Sequence, residues 1–285
     1  MTSESRAAQA ADVARTYYDS DDVNGFYVHA WGGDDIHVGI YAEPHDTVAA
    51  ASRRTIGHLA GKAADLLRPG GTVLDLGSGY GGAARALAEG FGCRVTALNI
   101  SEVQNRRHRE LNAARGLDGL VDVVTGSFND IPFPDGTFDV VWSQEALCHS
   151  GDRARTLEEA VRVLRPGGRL LFTDTMAAED APEEELRPLA ERLTNADFAT
   201  PGFYLGRLHR LGLADVQFED LTAHMLTHYE RITGEVEAQD PQLLGAVSAA
   251  YVARLRENLP RWAAACRAGL LSWGVFDARR PAAPR

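Results

Sequence analysis

Thr72-Val73-Leu74-Asp75-Leu76-Gly77-Ser78-Gly79-Tyr80-Gly81-Gly82 decides the fold. Gly70-Gly71 precedes a short apolar run, Val73 to Leu76, and a glycine-rich turn follows it. Such a run between glycine turns reads as a parallel strand buried on both faces. From Ala83 the period becomes helical, with Ala84, Leu87, Ala88 and Phe91 on one face. The stretch is therefore strand, glycine loop, helix, the first unit of a nucleotide-binding α/β sheet. Gly77, Gly79 and Gly82 also satisfy G-x-G-x-x-G, which alone does not say which ligand is held.

Outward from this unit, strands and helices alternate. Arg94 to Ile100, Val121 to Gly126, Phe138 to Ser143 and Arg169 to Asp174 read as further strands. Helices are expected over Glu102 to Arg115, with Ser101 as N-cap, and over Asp152 to Leu164. Arg165-Pro166-Gly167-Gly168 reads as a turn. This rhythm implies a parallel, doubly wound sheet. Upstream, Thr47 to Leu67 has helical spacing and stops at Arg68-Pro69-Gly70-Gly71. Asp12 to Tyr18 reads as a short helix. The following segment carries Phe26, Tyr27, Trp31, His37 and Tyr41 around Gly32-Gly33 with neither period, as an irregular lid or packing arm would. Met176 to Pro201 is acidic, with Leu186, Leu189 and Leu193 at helical spacing, and reads as an inserted cap. Gly202 to Leu211 reads as a helix and Ala214 to Leu221 as a strand. Leu226 to Cys266 is mainly helical with breaks at Pro241 and Pro260, Leu270 to Phe276 is a last strand, and Pro281 to Arg285 a frayed tail.

Composition limits the partners. The 285 residues carry a net charge of -11, which opposes binding to a phosphate polymer. Three cysteines, Cys93, Cys148 and Cys266, form no pairing pattern, in keeping with a reducing cytoplasm. No apolar run is long enough for a bilayer, and Met1 to Ala11 has no apolar signal core. No metal-ligand spacing is present, and no metal is expected.

In an open parallel sheet, ligands bind beyond the carboxyl ends of the strands. Asp75 stands two residues before Gly77. Its carboxylate would repel the pyrophosphate of NAD but suits S-adenosylmethionine, which carries an ammonium and a sulfonium. Gly77, Ser78 and Gly79 are the expected cofactor loop, where a Cβ at a glycine would meet the ligand. Asn99, followed by Ile100, stands where a ribose-binding carboxylate is common, and can accept one hydrogen bond without charge. Ser127 and Phe128 suit an adenine ring, although Phe128 reads equally as a core aromatic. The fourth strand runs out through Trp142, Ser143, Gln144 and Glu145 to His149. His149 is the candidate general base, because imidazole is readily neutral near pH 7. Asp174-Thr175-Met176 ends the fifth strand and offers a pocket wall.

Taken together, the chain resembles the sarcosine/dimethylglycine N-methyltransferase family. The resemblance rests on Tyr17 to Ser20, Phe26-Tyr27, Trp31 to Tyr41, the glycine loop, Leu98-Asn99-Ile100, Gln104-Asn105, Gly126-Ser127-Phe128, Trp142 to Gln144 and His149-Ser150. It continues through Asp174, Met176, His228-Tyr229 and Trp273-Gly274. Thr175 departs from it, standing where proline is expected. The resemblance implies a class I methyltransferase fold, α/β, with a doubly wound and mostly parallel seven-stranded sheet, an aromatic arm (1–46), a cofactor-binding core (47–176), a helical cap (177–201) and the rest of the sheet with C-terminal helices (202–285). It implies methyl transfer from S-adenosylmethionine to a small N-methylated glycine, yielding glycine betaine, and adds Gln104 and Gln144 to the cofactor set. Tyr18, Tyr27, Trp31, Tyr204 and Trp273 are then available walls for a quaternary ammonium, Met176 a further wall, and Arg54 the candidate partner of the acceptor carboxylate. Rival readings are methyl transfer to a sugar, phenol or terpenoid, and a non-catalytic protein that binds S-adenosylmethionine. Asp75 and the uncharged Asn99 oppose an NAD oxidoreductase.

Overall fold

Thr72–Leu76 forms β1, and it is central because it pairs in parallel on both sides. Its neighbours are β2 (Arg94–Asn99) and β4 (Phe138–Gln144). The structure, a computed structural model, describes residues 3–192, 197–238 and 241–282. β3 (Val121–Thr125) lies outside β2, and β5 (Leu164–Ala177) pairs in parallel with β4. β7 (Leu271–Arg279) runs antiparallel between β5 and β6 (Ala214–Asp220). The described residues thus form a seven-stranded sheet in the order β3-β2-β1-β4-β5-β7-β6. Its sole reversed strand is β7, so the expected mostly parallel α/β sheet is what the chain adopts.

Helices cover both faces, because successive side chains of each strand alternate between them. Val73, Val95 and Val140 face α3 (Val48–Lys62) and α4 (Gly82–Phe91). Leu74, Leu76 and Phe172 face the opposite layer, with Leu157 of α6 (Arg153–Val163) and Leu208 of α8 (Pro201–Arg210). α5 (Glu102–Ala114) is capped by Ser101, whose Oγ accepts from Gln104 N at 3.1 Å. α1 (Ser3–Tyr18) and α2 (Asp21–Phe26) open the chain. α7 (Glu183–Arg192) lies in the acidic cap, and Leu193, assigned there from sequence, is outside the described residues. α9 (Thr222–Glu237), α10 (Pro241–Ala246) and α11 (Ala249–Arg267) fill the connection between β6 and β7.

Several boundaries differ from the sequence expectations. Helix α3 stops at Lys62 rather than Leu67, and Leu66 N and Leu67 N instead bond to Ala63 O in a turn that still buries Ala63 and Leu67. The arm is not irregular throughout: α2 runs on into a π-helical turn, Tyr27–Trp31, closed by Gly32 at φ 131°. Pro260 lies inside α11 and does not end it. The Arg165–Gly168 turn is a bulge within β5, where the register passes from Phe138↔Leu164 to Val140↔Arg169. A third apolar cluster, whose helical partners the sequence did not reveal, joins Phe26 and Tyr27 of the arm to Ile232 of α9 and Trp262 of α11. The helical layer over the arm thus comes mainly from the β6–β7 connection.

The arm lies across the start of α4. A Cβ on Gly82 would meet Asp35 Oδ1 at 1.8 Å and the Asp34 carbonyl at 2.6 Å. Gly82→Ala should therefore lower stability in urea unfolding by about 1–3 kcal/mol, as overpacking does. Gly90→Ala, eight residues along the same helix and with nothing within 4 Å of its Cβ, should instead be neutral or stabilising by up to about 1 kcal/mol.

Candidate active site

The carboxyl ends of β1, β2, β3 and β4 converge on one cleft. Gly77 and Gly79 line it from the loop after β1, with φ values of 74° and 53° that favour glycine. Their other constraint comes from the protein. A Cβ on Gly77 would lie 2.2 Å from that of Ala146, and one on Gly79 would press on Ile36 at 3.0 Å. The protein thus adds its own constraint on these glycines: Ala146 of the β4 loop leaves no room for a Cβ at Gly77, and Ile36 of the arm crowds one at Gly79.

Asn99, Ile100 and Gln104 line the same cleft, as do Ser127, Phe128 and Gln144. The Asn99 amide donates to Gln104 Oε1 at 3.0 Å, which leaves Asn99 Oδ1 to accept and Gln104 Nε2 without a partner among the described residues. Gln144 Oε1 accepts from Trp142 Nε1 at 3.0 Å, and Gln144 Nε2 is likewise unpartnered. Phe128 lines the cleft and also packs against the core.

Asp75 and Ser78 line a smaller adjoining space, bounded by Asp34, Asp35, Ile36 and His37 of the arm. Asp75 Oδ2 and Ser78 Oγ have no hydrogen-bond partner among the described residues. Burial pushes the Asp75 carboxyl up to about 7.

His149 ends a short 3₁₀ turn, Leu147–His149, and lines the larger cleft. Its Nε2 shares a hydrogen bond of 2.8 Å with Tyr18 OH from α1, whose Ala11 and Ala14 also form cleft wall. Burial, helped by the nearby Arg153 charge, lowers His149 to about 4. The turn is held by Asp174, whose Oδ1 accepts from Cys148 N at 3.2 Å while its Oδ2 accepts from Tyr204 OH at 2.5 Å.

Other sequence candidates lie elsewhere. Arg54 is ion-paired with Asp46 at 2.8 Å and donates to the Ile40 carbonyl; it braces the arm and does not line either cavity. Tyr204, Met176 and Trp273 are fully buried and line neither cavity. Trp273 instead donates its indole N–H to Glu145 Oε1 at 2.5 Å. Tyr27 and Trp31 pack edge-on within the arm cluster, with Trp31 against His228 at 5.1 Å. Of the proposed aromatic walls, Tyr18 alone lines the cleft. The sequence reading named Glu145 and the arm residues Asp34 to His37 but gave none of them an individual site role. Adjacency to Gln144 and position inside the Trp31 to Tyr41 stretch were the available signals.

Comparison with known proteins agrees with this geometry. Residues 74–172 match the model of a methyltransferase domain family. A sarcosine/dimethylglycine N-methyltransferase of Halorhodospira halochloris is 44% identical over 95% of this chain and 97% of its own length. The chain belongs to the sarcosine/dimethylglycine N-methyltransferase family. A glycine/sarcosine/dimethylglycine N-methyltransferase of Actinopolyspora halophila is 47% identical over 95% of this chain, which spans 48% of that longer relative. A crystal structure from Galdieria sulphuraria, named as a candidate sarcosine dimethylglycine methyltransferase, superposes with a TM-score of 0.87 at 36% identity, covering 94% of this chain and 100% of that one.

This family member is a methyltransferase that depends on S-adenosylmethionine. The residues present fit that cofactor. The unpartnered Asp75 carboxylate oxygen suits its cationic groups, and the unpartnered amides of Gln104 and Gln144 suit its hydroxyls and ring nitrogens. Among the described residues, no helix is long and apolar enough to cross a membrane. The imidazole of His149 should titrate in NMR with a midpoint about 4, far below the 6.5 of an ordinary histidine side chain.

Proposed function

We propose that the protein transfers a methyl group to the nitrogen of sarcosine or dimethylglycine, the latter giving glycine betaine, in the cytoplasm. The end-to-end likeness to the Halorhodospira halochloris enzyme carries this reading, since a relation over 97% of that protein includes the arm and the helices beyond the core.

S-adenosylmethionine supplies a methyl group on a sulfonium. In our reading Asp75 and Ser78 hold its amino-acid end in the smaller space, and the Gly77 to Gly79 loop lies against it. Asn99 and Gln104, one acceptor and one donor, take the ribose hydroxyls. Ile100, Ser127 and Phe128 enclose the adenine, and Gln144 reaches in from β4. The reacting end then lies toward Tyr18, Glu145 and His149, where the acceptor nitrogen must approach in line. The chain's main work is this positioning and the exclusion of water by α1. His149 stays neutral and, braced by Tyr18, shapes the acceptor space. The lid role moves from the whole arm to α1, because residues 37–41 are bonded into α3 and α9.

Purified protein incubated with methyl-labelled S-adenosylmethionine should label sarcosine and dimethylglycine, with betaine as the final product by mass. Label entering a sugar, phenol or terpenoid, and neither amine, would overturn the acceptor assignment while leaving methyl transfer intact. Glycine belongs in the same panel because the Actinopolyspora halophila relative is named for it.

Asp75 yields a second expectation. Below about pH 7 the ligand-free carboxyl is protonated, and a cationic ligand requires the anion. Affinity for S-adenosylmethionine should be level above pH 7 and fall by up to about tenfold per pH unit below it. Asp75→Asn should weaken binding at pH 8 by about 10- to 100-fold, the loss of a charge-assisted contact, and flatten the slope. Calorimetry across this pH range checks both.

A further inference from the structure

We propose that Glu145 receives the acceptor nitrogen: its carboxylate binds the ammonium form and takes the proton that must leave before methyl transfer. The inference rests on the amine-acceptor reading above.

Glu145 sits at the carboxyl end of β4 with φ 45°. It is one of two residues other than glycine with positive φ among those described; the second, Asp215, lies at the irregular start of β6. A strained backbone of this kind persists where the surroundings over-determine it. Three elements do so here. The Glu145 N–H donates to the Thr173 carbonyl on β5 at 3.0 Å. Trp273 Nε1 on β7 donates to Oε1 at 2.5 Å, and Val38 N from the arm donates to Oε2 at 3.2 Å. Each carboxylate oxygen keeps lone-pair capacity after these bonds. The residue lines the cofactor cleft beside Ala146 and His149.

The groups facing Glu145 do not supply a counter-cation. They are Asp174 and Thr173 on β5, Trp273 on β7, Val38 of the arm and Cys148 of the 3₁₀ turn. No arginine or lysine lines either cavity among the described residues. A fixed, solvent-poor carboxylate with N–H donors and no cation is complementary to a cationic ligand. Burial, opposed chiefly by the Trp273 bond, raises its carboxyl to about 7. His149 suits the task less well. Its Nε2 is taken by Tyr18, and its pKa of about 4 makes it a weak proton acceptor.

The step balances without a further reactant. An N–H bond of the acceptor ammonium breaks and an O–H bond forms on Glu145. The freed nitrogen lone pair forms the N–C bond as the C–S bond breaks, its electron pair passing to sulfur and neutralising the sulfonium. With dimethylglycine the product nitrogen is quaternary and carries no proton; with sarcosine it is a tertiary ammonium that keeps one. Glu145 releases its proton to water when the site opens.

The test uses Glu145→Gln and wild-type protein, each saturated with S-adenosylhomocysteine to establish that the cofactor site is intact. Betaine affinity, measured by calorimetry from pH 6 to 8.5, should strengthen with pH in the wild type up to about 7 and then level, and be weak and flat in Glu145→Gln. With dimethylglycine, kcat/KM should fall at least about 100-fold in Glu145→Gln at pH 7.5 and recover toward high pH, where free amine is supplied by solvent. A variant that binds S-adenosylhomocysteine normally and keeps wild-type betaine affinity and pH profile overturns the proposal. Should Glu145→Gln lose S-adenosylhomocysteine binding, Trp273→Phe decides. It keeps the carboxylate and removes a donor to its charged form, so the profile's midpoint should move to higher pH; an unmoved midpoint overturns the proposal. Wild-type protein that methylates neither sarcosine nor dimethylglycine overturns the acceptor reading itself, a result distinct from an active wild type with an indifferent Glu145→Gln.

Discussion

Two aspartates of the arm clamp it across the start of α4, and the site takes its shape from that clamp. Asp34 is ion-paired at 2.9 Å with Arg85, whose side chain is fully buried, and Asp35 is paired at 2.9 Å with Arg53. Removing Asp34 would leave the buried Arg85 charge without this counter-ion, which is destabilising because a buried charge is costly unless paired. Gly82 permits the approach because no Cβ stands in the way. With the arm so held, Ile36 and His37 wall the smaller cavity, and Val38 N reaches Glu145. Gly39 N and Tyr41 OH then both meet Nδ1 of His228 on α9. A contact at the edge of the glycine loop thus sets geometry on both sides of the cleft.

Burial governs charge throughout this region. It raises the carboxyls of Asp75 and Glu145 to about 7 and those of Asp35 and Asp174 to about 6. The same cause lowers His37 and His149 to about 4 and His108 and His228 to about 3. The two sets act oppositely on stability. Between about pH 4 and 7 the folded state holds carboxyl protons that the unfolded chain releases, so that contribution declines as pH rises. The histidines bind fewer protons folded than unfolded, so theirs declines as pH falls below about 6.5. Folding therefore has opposed pH slopes across one window, while ligand binding, which draws on the carboxylates, does not share the cancellation. A cleft with buried acids and neutral imidazoles suits a cationic methyl donor.

The cluster that joins the arm to α9 and α11 explains the aromatics of the arm. Phe26 packs against Tyr251, Trp31 against His228 and Tyr229, and Tyr27 against Phe26 and Trp31. Ring edges and faces meet there at centroid distances of 5–6 Å, where aromatic pairs are favourable. These rings build the platform that carries the clamped segment, and α1 carries the cleft-lining Tyr18 over it.

The amino-acid sequence by itself determined the sheet, the glycine loop and most of the residues that line the cleft. Those features are written in near neighbours: a buried apolar run, a turn needing positive φ, a helix period, and the strand-end rule that places Asn99, Phe128, Gln144 and His149 at one edge. Tertiary structure alone decided what long-range partners each side chain would find. Arg54 was legible as an arginine in a family-like segment, but Asp46 claims it. Trp273 and Tyr204 were legible as aromatics, yet their polar ends serve Glu145 and Asp174, 128 and 30 residues away. Glu145 was visible as a strand-end acid, while its strained backbone and its donors from β7 and the arm arise only when three distant segments meet. Periodicity reports which face a residue occupies; packing across the chain decides what stands opposite it.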